Sequence, residues 1–309
     1  MRTVLITGGA GFIGSHLADD VLAHGGRAIV LDDLSTGRRE NVPAGAVFYQ
    51  RDLLDPGLDE LLGDEKVDAV NHHAAQANVR VSIENPAQDA RINVLGGLEL
   101  VAACRRVGVK RLVFASSGGT VYGEQEVFPC DEDHPKRPTS PYGVAKFAFE
   151  LYLDAFGRAG DLEPVILRYA NVYGPRQWPK GEAGIVAILA ELLLAGERPR
   201  IFGDGEQTRD YVHVGDVVAA NRAAYGTERL GAYNVGTGVE TSVNELYAMV
   251  ARELGTTLEP LHVDPVAAEL RRNALDAGKL ARELGVHIGT PLERGLASTL
   301  AWYRARATR

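Results

Sequence analysis

The chain has 309 residues, of which 45% are hydrophobic and 24% charged, which excludes disorder and collagen-like structure. No apolar run reaches the roughly 18 residues that a membrane-spanning helix needs, and a formal charge of −8 argues against a general surface for nucleic acid or anionic membranes. Met1-Arg2 leads into only Val4-Leu5-Ile6 before glycines begin, too short for a signal peptide, and the two cysteines, Cys104 and Cys130, form no CxxC pair, so a reducing cytoplasm is expected.

The first half alternates short β-branched runs with helical periodicity, which indicates βαβ units around a parallel sheet. Strands are expected at Thr3–Thr7 and at 28–31, 46–49, 67–71, 111–115 and 164–167. Ile13, Leu17 and Val21 give the first helix an apolar face. Val94, Leu98, Val101 and Ala102 do the same for a later helix that Gly108 stops. Ser140-Pro141 starts another, with serine as N-cap and proline as the first helical residue. Beyond about residue 175 the elements shorten and Pro175, Pro179, Pro199, Pro260, Pro265 and Pro291 interrupt them. The expectation is a first domain over 1–175, joined by a strand returning at 232–235, and a smaller mixed C-terminal lobe over 176–309.

Thr7-Gly8-Gly9-Ala10-Gly11-Phe12-Ile13-Gly14 follows the first strand and opens the first helix, with Gly8, Gly11 and Gly14 spaced GxxGxxG. Glycine permits the tight turn and close approach of the backbone to a pyrophosphate, which the amides of the helix N-terminus then bind. Asp32 stands eighteen residues after Gly14, at the end of the second strand. A carboxylate there accepts hydrogen bonds from both ribose hydroxyls and repels a 2′-phosphate, which predicts NAD rather than NADP. Arg38 and Arg39, a few residues further on, are the one contrary sign. With strand, helix and carboxylate in register, the fold class is α/β, a Rossmann-type doubly wound parallel sheet carrying NAD on residues 1–175.

Tyr142 and Lys146 form a YxxxK pair on the helix begun by Ser140-Pro141, and positions four apart share a helix face. A free tyrosine is a poor base at neutral pH, but a nearby ammonium favours its phenolate. Such a phenolate takes a proton from a hydroxyl as hydride leaves the same carbon. The pair follows the strand at 111–115 and the run Ser116-Ser117-Gly118-Gly119-Thr120-Val121-Tyr122-Gly123, at the active edge of a doubly wound sheet.

These residues, together with LDDLSTG from Leu31, RDL from Arg51, HHAAQA from His72, INVLGG from Ile92, SPYGVAK from Ser140, LRYANVYGPRQ from Leu167, IFGDGEQTRDYVHVGDV from Ile201 and NVGTG from Asn234, resemble the extended short-chain dehydrogenases/reductases. The resemblance is to nucleotide-sugar epimerases of the UDP-glucose 4-epimerase group and covers essentially the whole chain. It implies that Tyr142 is the base, with Lys146 beside it and bridging the nicotinamide ribose. NAD would lie against Gly8, Gly11, Phe12, Ile13, Gly14, Asp32, Asp33, Ser35, Thr36 and Gly37, with Asp52 and Leu53 flanking adenine. His73, Ala74, Ala75, Gln76, Asn93, Ala115, Ser116 and Tyr169 would line the rest of the cofactor site. The sugar nucleotide would meet Ser117, Gly118, Gly119, Tyr142, Asn171, Arg209, Arg271 and Asn273, with Tyr211 and His213 on the hairpin that carries Arg209.

The chain departs from the family pattern at several places. Most relatives have Ser or Thr at the position of Gly118, where it hydrogen-bonds the reacting hydroxyl; that task passes to Ser117, with Ser116, Thr120 or a water as alternatives. Relatives that dehydrate sugars place Asp-Glu where this chain has Gly119-Thr120, so simple epimerisation is expected. An Arg that clasps the substrate diphosphate in relatives is replaced in Val266-Ala267-Ala268-Glu269, which leaves Arg271, Arg272 or Arg176 to compensate, with Arg198 and Arg209 also available. Asn273 falls where a gate residue stands near the sugar, and a residue of its size admits N-acetylated sugars.

The expected reaction is reversible inversion at C4 of a UDP-hexose through a 4-keto intermediate, with NAD retained. Uronate 4-epimerisation, 4-keto reduction and a non-catalytic NAD-binding role are the alternatives. The family implies a homodimer formed through the helices of Asn93 and Tyr142. No metal site is expected, because His72-His73 at a strand end has no further ligand spacing beside it and reads as packing in the cofactor cleft.

Overall fold

The computed structural model describes residues 2–179, 184–265 and 270–307. Strands β1 (Thr3–Thr7), β2 (Arg27–Asp32), β3 (Val47–Gln50), β4 (Ala69–His72), β5 (Arg111–Ser117) and β6 (Glu163–Tyr169) fall on the six expected runs, each end within two residues. The short β7 (Asn171–Tyr173), β8 (Arg200–Phe202), β9 (Thr208–Arg209) and β10 (Tyr211–His213) come next in the chain. They are followed by β11 (Gly231–Val235), β12 (Thr241–Ser242) and β13 (Leu261–Val263). The central sheet runs β11-β6-β5-β4-β1-β2-β3, and its neighbours pair in parallel. β11 is the returning strand expected at 232–235 and pairs with β6 from Gly231↔Val165 to Val235↔Tyr169. The winding reverses between β1 and β4, which opens a crevice at their carboxyl ends.

Alternation along the strands feeds two cores. Val4, Ile6, Val30 and Val113 face the helices α1 (Phe12–Ala23), α8 (Val214–Ala224) and α10 (Gly278–Leu284). Leu5, Ile29, Leu112 and Phe114 face α2 (Leu58–Asp64), α5 (Gly97–Val107) and α6 (Pro141–Arg158). Each fully buried Leu or Ile favours the folded chain by about 1.5–3 kcal/mol. A third core joins α7 (Ile185–Leu194), α9 (Val243–Leu254) and α11 (Leu292–Ala307) around Leu189, Leu246 and Leu300. Residues after 176 are therefore divided: α8, β11 and α10 return to the sheet, and the other helices form the second layer.

Local signals place the site-bearing helices. Ser140 Oγ accepts the Gly143 N–H at 3.2 Å and Pro141 opens α6, as the sequence predicts. Gly108, at φ 89°, ends α5. One register differs from expectation. Between α3 (Val79–Glu84) with α4 (Pro86–Ala90) and α5, residues Arg91–Gly96 form a π-helical turn. Its wider winding rotates the buried line from Val94 and Leu98 to Asn93, Gly97, Leu100 and Cys104. Gly97 is required there, because a Cβ would stand 2.7 Å from the Phe149 ring.

Candidate active site

The glycine-rich turn forms a cradle. Gly8 has φ 67°, and a Cβ on it would stand 2.7 Å from the Ala74 nitrogen; one on Gly14 would stand 2.3 Å from the Gly8 carbonyl oxygen. Gly11 caps α1 without any side-chain bond, so the first amides of the helix remain for an anion. Asp32 accepts the Ala10 N–H at 2.9 Å and the Leu34 N–H at 2.8 Å, leaving lone pairs toward the cleft. Burial pushes its carboxyl up, against the pull of those two amides. Gly37 lets the chain pass this carboxylate, since a Cβ would lie 2.5 Å from Oδ1.

A cleft of about 520 Å³ opens above the turn. Its walls contain Gly8, Gly11, Phe12, Ile13, Gly14, Asp32, Asp33, Ser35, Thr36, Asp52, Leu53, His73, Ala74, Ala75 and Gln76. The shape, the anion-ready helix end and the buried carboxylate fit a dinucleotide. Asn93 stands one layer behind: its amide donates to the Gln76 carbonyl at 2.8 Å and its Oδ1 accepts the Gln76 N–H at 3.0 Å. Arg51, Gln177 and Trp178 also line the cleft and were not assigned to the cofactor from sequence. Arg51 opens the RDL segment, which was signal enough to find it. Arg38 and Arg39 are engaged, their guanidiniums lying 3.4 Å from the Trp178 ring centroid and 4.6 Å from that of Phe48.

At the carboxyl end of β5, Lys146 is buried and donates from Nζ to the Ala115 carbonyl at 3.0 Å. Its ammonium is 5.7 Å from the ring centroid of Tyr142, one turn earlier, and 4.8 Å from that of Phe114. Ala115 and Ser117 alternate on one face of β5, so this bond brings α6 to the strand end that carries Ser117. Among the described residues Ser117 Oγ has no partner; it lies 3.8 Å from where a Gly119 Cβ would be, and Asn171 Oδ1 lies 3.9 Å from the same point. Ser116 is turned away, donating to Glu150 inside the protein. The Thr120 hydroxyl is buried and unbonded. Of the hydroxyls considered as replacements, that of Ser116 is thus bonded inside the protein and that of Thr120 is buried, while Ser117 is half-buried at the strand end.

A Cβ on Gly118 would sit 2.4 Å from a Leu275 methyl, so a side chain here would require Leu275 to move. Asn273 is 1% exposed and donates to the Gly118 carbonyl at 3.3 Å, so it is folded onto the backbone. Asp210, absent from the sequence expectations, fixes this wall. It accepts from Thr237 N–H at 2.9 Å, Gly238 N–H at 3.0 Å and Leu275 N–H at 3.2 Å.

Behind the cleft, Asn221 donates to the Tyr169 hydroxyl at 2.8 Å, and that hydroxyl shares a hydrogen bond of 3.1 Å with His73 Nε2. Burial first, then Lys146, pulls the His73 pKa down to about 3, so the ring is neutral.

Four of the arginines considered for a diphosphate are engaged elsewhere. Arg176 pairs with Asp19 at 2.7 Å, Arg271 with Asp204 at 2.7 Å, and Arg272 with Glu240. Arg198 donates to the Glu259 carbonyl at 2.7 Å. Arg271 is thus a surface ion pair, although its carbonyl accepts from Thr208 beside Arg209 at 2.9 Å. Arg209, half-buried on β9, donates to the Thr208 carbonyl at 2.8 Å. The Val266–Glu269 replacement lies outside the described residues.

The model of the NAD dependent epimerase/dehydratase family matches residues 4–236. The chain is 45% identical over 313 residues to a UDP-glucose 4-epimerase of Mycolicibacterium smegmatis, covering 99% of this chain and all of that one. It is similar to the crystal structure of a UDP-glucose 4-epimerase from Thermotoga maritima with UDP-glucose, at TM-score 0.96, 43% identity and 99% coverage of each chain. It is also similar to a Thermus thermophilus UDP-glucose 4-epimerase in complex with NAD, at TM-score 0.93 and 44% identity, covering 98% of this chain and 99% of that one.

Proposed function

The chain belongs to the NAD-dependent epimerase/dehydratase family, and from that premise we propose that it inverts C4 of a UDP-hexose, interconverting UDP-glucose and UDP-galactose. It is an NAD-dependent isomerase of the UDP-hexose epimerase kind. The observation that carries the C4 reading is the Tyr142–Lys146 pair, bonded to β5 at Ala115 beside the dinucleotide cleft. The glycine-rich turn and Asp32 would hold NAD⁺, which when bound would supply the hydride acceptor. Tyr142 takes the proton of the 4-hydroxyl, and the ammonium of Lys146 favours its phenolate. Ser117 donates to the same sugar oxygen. The 4-keto sugar would turn about its diphosphate, held by Arg209, so that the hydride would return to the opposite face of C4 while Tyr142 gives the proton back to the 4-oxygen. Net oxidation is zero. Gly119 and Thr120 offer no carboxylate for elimination, so dehydration does not compete.

Asn273, lying along the Gly118 carbonyl rather than across the site, extends the reading to the N-acetylated pair. Proton NMR of the purified protein with UDP-galactose and no added cofactor tests the reading. The anomeric signal of UDP-glucose should grow to a stable mixture, and UDP-N-acetylgalactosamine should behave alike. An unchanged spectrum with NAD bound would overturn it and favour a uronate substrate or net reduction. Ser117→Ala should lower turnover by about ten- to a hundredfold, the scale of one lost hydrogen bond to a reacting oxygen; unaltered turnover would remove Ser117 from the mechanism.

We also propose that two copies pair through α6 and the helix of Asn93, as the family implies, with the neighbouring α3 beside them. Leu151 is 55% exposed, and Val79, Ile83, Leu95, Val144 and Tyr152 are exposed beside it, an apolar face that a second copy would cover. Leu151→Glu should shift sedimentation from dimer to monomer; a monomeric wild type would refute the pairing. The free thiols of Cys104 and Cys130 suit a cytoplasmic setting.

A further inference from the structure

A cofactor that is oxidised and reduced on one substrate must stay in place while the sugar turns, and one stretch of the cleft wall bears on how. Gln177 and Trp178 line the cleft together with the glycine-rich turn. Arg38 is fixed against that turn, since its N–H donates to the Ala10 carbonyl at 2.9 Å. Its guanidinium lies 3.4 Å from the Trp178 ring centroid. The same guanidinium pairs with Glu40 at 2.8 Å, and Glu40 pairs with Arg306 of α11 at 3.1 Å. Arg306 in turn stands 5.6 Å from the Trp178 ring and 5.5 Å from that of Trp302. From the inner side, Gln177 is anchored by the Tyr303 hydroxyl, which donates to its carbonyl, and by its own amide, which donates to Val172 O at 3.0 Å. Three stretches remote in sequence thus meet on one indole at the cleft wall.

We propose that Arg38, Trp178, Glu40 and Arg306 form a clasp that holds NAD in its cleft between turnovers. The proposal rests on the reading of NAD as a retained group. A guanidinium stacks flat on an indole without losing its charge, so Trp178 gains a lid-like seat while a cation stays beside the turn that binds the pyrophosphate. Glu40 holds two arginines near one ring that would otherwise repel. Release of the cofactor then requires the Arg38–Trp178 contact to open, against the ion pairs that brace it. Because the Arg38 guanidinium is committed to the indole, it does not recruit a 2′-phosphate, in keeping with the carboxylate at Asp32.

Exchange of labelled NAD into gel-filtered holoenzyme tests the clasp. Trp178→Ala should exchange faster by about tenfold or more, the factor that 1.4 kcal/mol represents. Trp178→Phe, which keeps a ring under Arg38, should restore most of the retention, and Arg306→Ala, distant from the cofactor, should give a smaller acceleration. Trp178→Ala should also narrow the gap in melting temperature between loaded and cofactor-free protein. Exchange at the wild-type rate in Trp178→Ala, or an equal loss of stability in loaded and cofactor-free forms, would overturn the clasp. If Trp178→Ala does not fold, Arg306→Ala decides: the wild-type exchange rate there overturns it. Wild-type exchange at the rate of turnover would instead overturn the retained-cofactor reading, whatever the variants do.

Discussion

Tyr142→Phe should lower turnover by about a hundred- to ten-thousandfold, the range that general base catalysis supplies, while the protein purifies with its NAD. The substitution removes one oxygen. It leaves the packing of α6, the Lys146 bond to Ala115 and the cleft walls intact. The loss therefore reports proton transfer rather than folding or cofactor binding. Bound NAD with near-wild-type turnover would show that another group takes the proton.

Arg168→Met should destabilise the fold by about 3–5 kcal/mol, the cost of stripping one partner from a buried ion pair. Arg168 and Glu150 are 4% and 3% exposed and meet at 2.6 Å. Arg168 also donates to the Tyr122 hydroxyl at 2.9 Å, which donates to Asn234 at 2.6 Å, while Ser116 donates to Glu150. This network joins β5, β6, β11 and α6 directly behind the reacting edge. The variant leaves the Glu150 carboxylate buried with a single hydroxyl. Adding Glu150→Leu should recover most of the loss, because an apolar pair needs no desolvated charge. Urea unfolding measures both, and a midpoint unmoved by Arg168→Met would mean that the pair contributes little.

Much of the fold was legible because its elements are local. Alternating apolar runs set the strands, and Gly108 and Ser140-Pro141 set helix ends. The cofactor turn was legible for the same reason: Gly8, Gly11, Gly14 and Asp32 lie within one βαβ unit. What was not legible depends on partners far apart in the chain. Nothing in Arg271 signals Asp204, 67 residues away, and nothing in Trp178 signals Arg38 or Arg306. That Ser116 is bonded inward depends on strand alternation combined with the place of Glu150, two turns past Tyr142 on α6. The π-helical turn at Arg91–Gly96 was hidden because a regular 3.6-residue period also fits Val94, Leu98 and Val101. Gly118 read as a lost hydroxyl; its contact with Leu275, 157 residues away, was not visible in the sequence, and a Leu275 methyl occupies the space next to it.

The central claim is that the hydrogen removed from C4 returns to C4 within one bound cofactor. Its most direct measurement is the fate of deuterium placed at C4 of UDP-galactose, followed by NMR and mass spectrometry without added NAD. The UDP-glucose formed should keep its deuterium at C4, with none in the solvent and no reduced cofactor released. Loss of the label to water, or a reaction that stops without added cofactor, would contradict it.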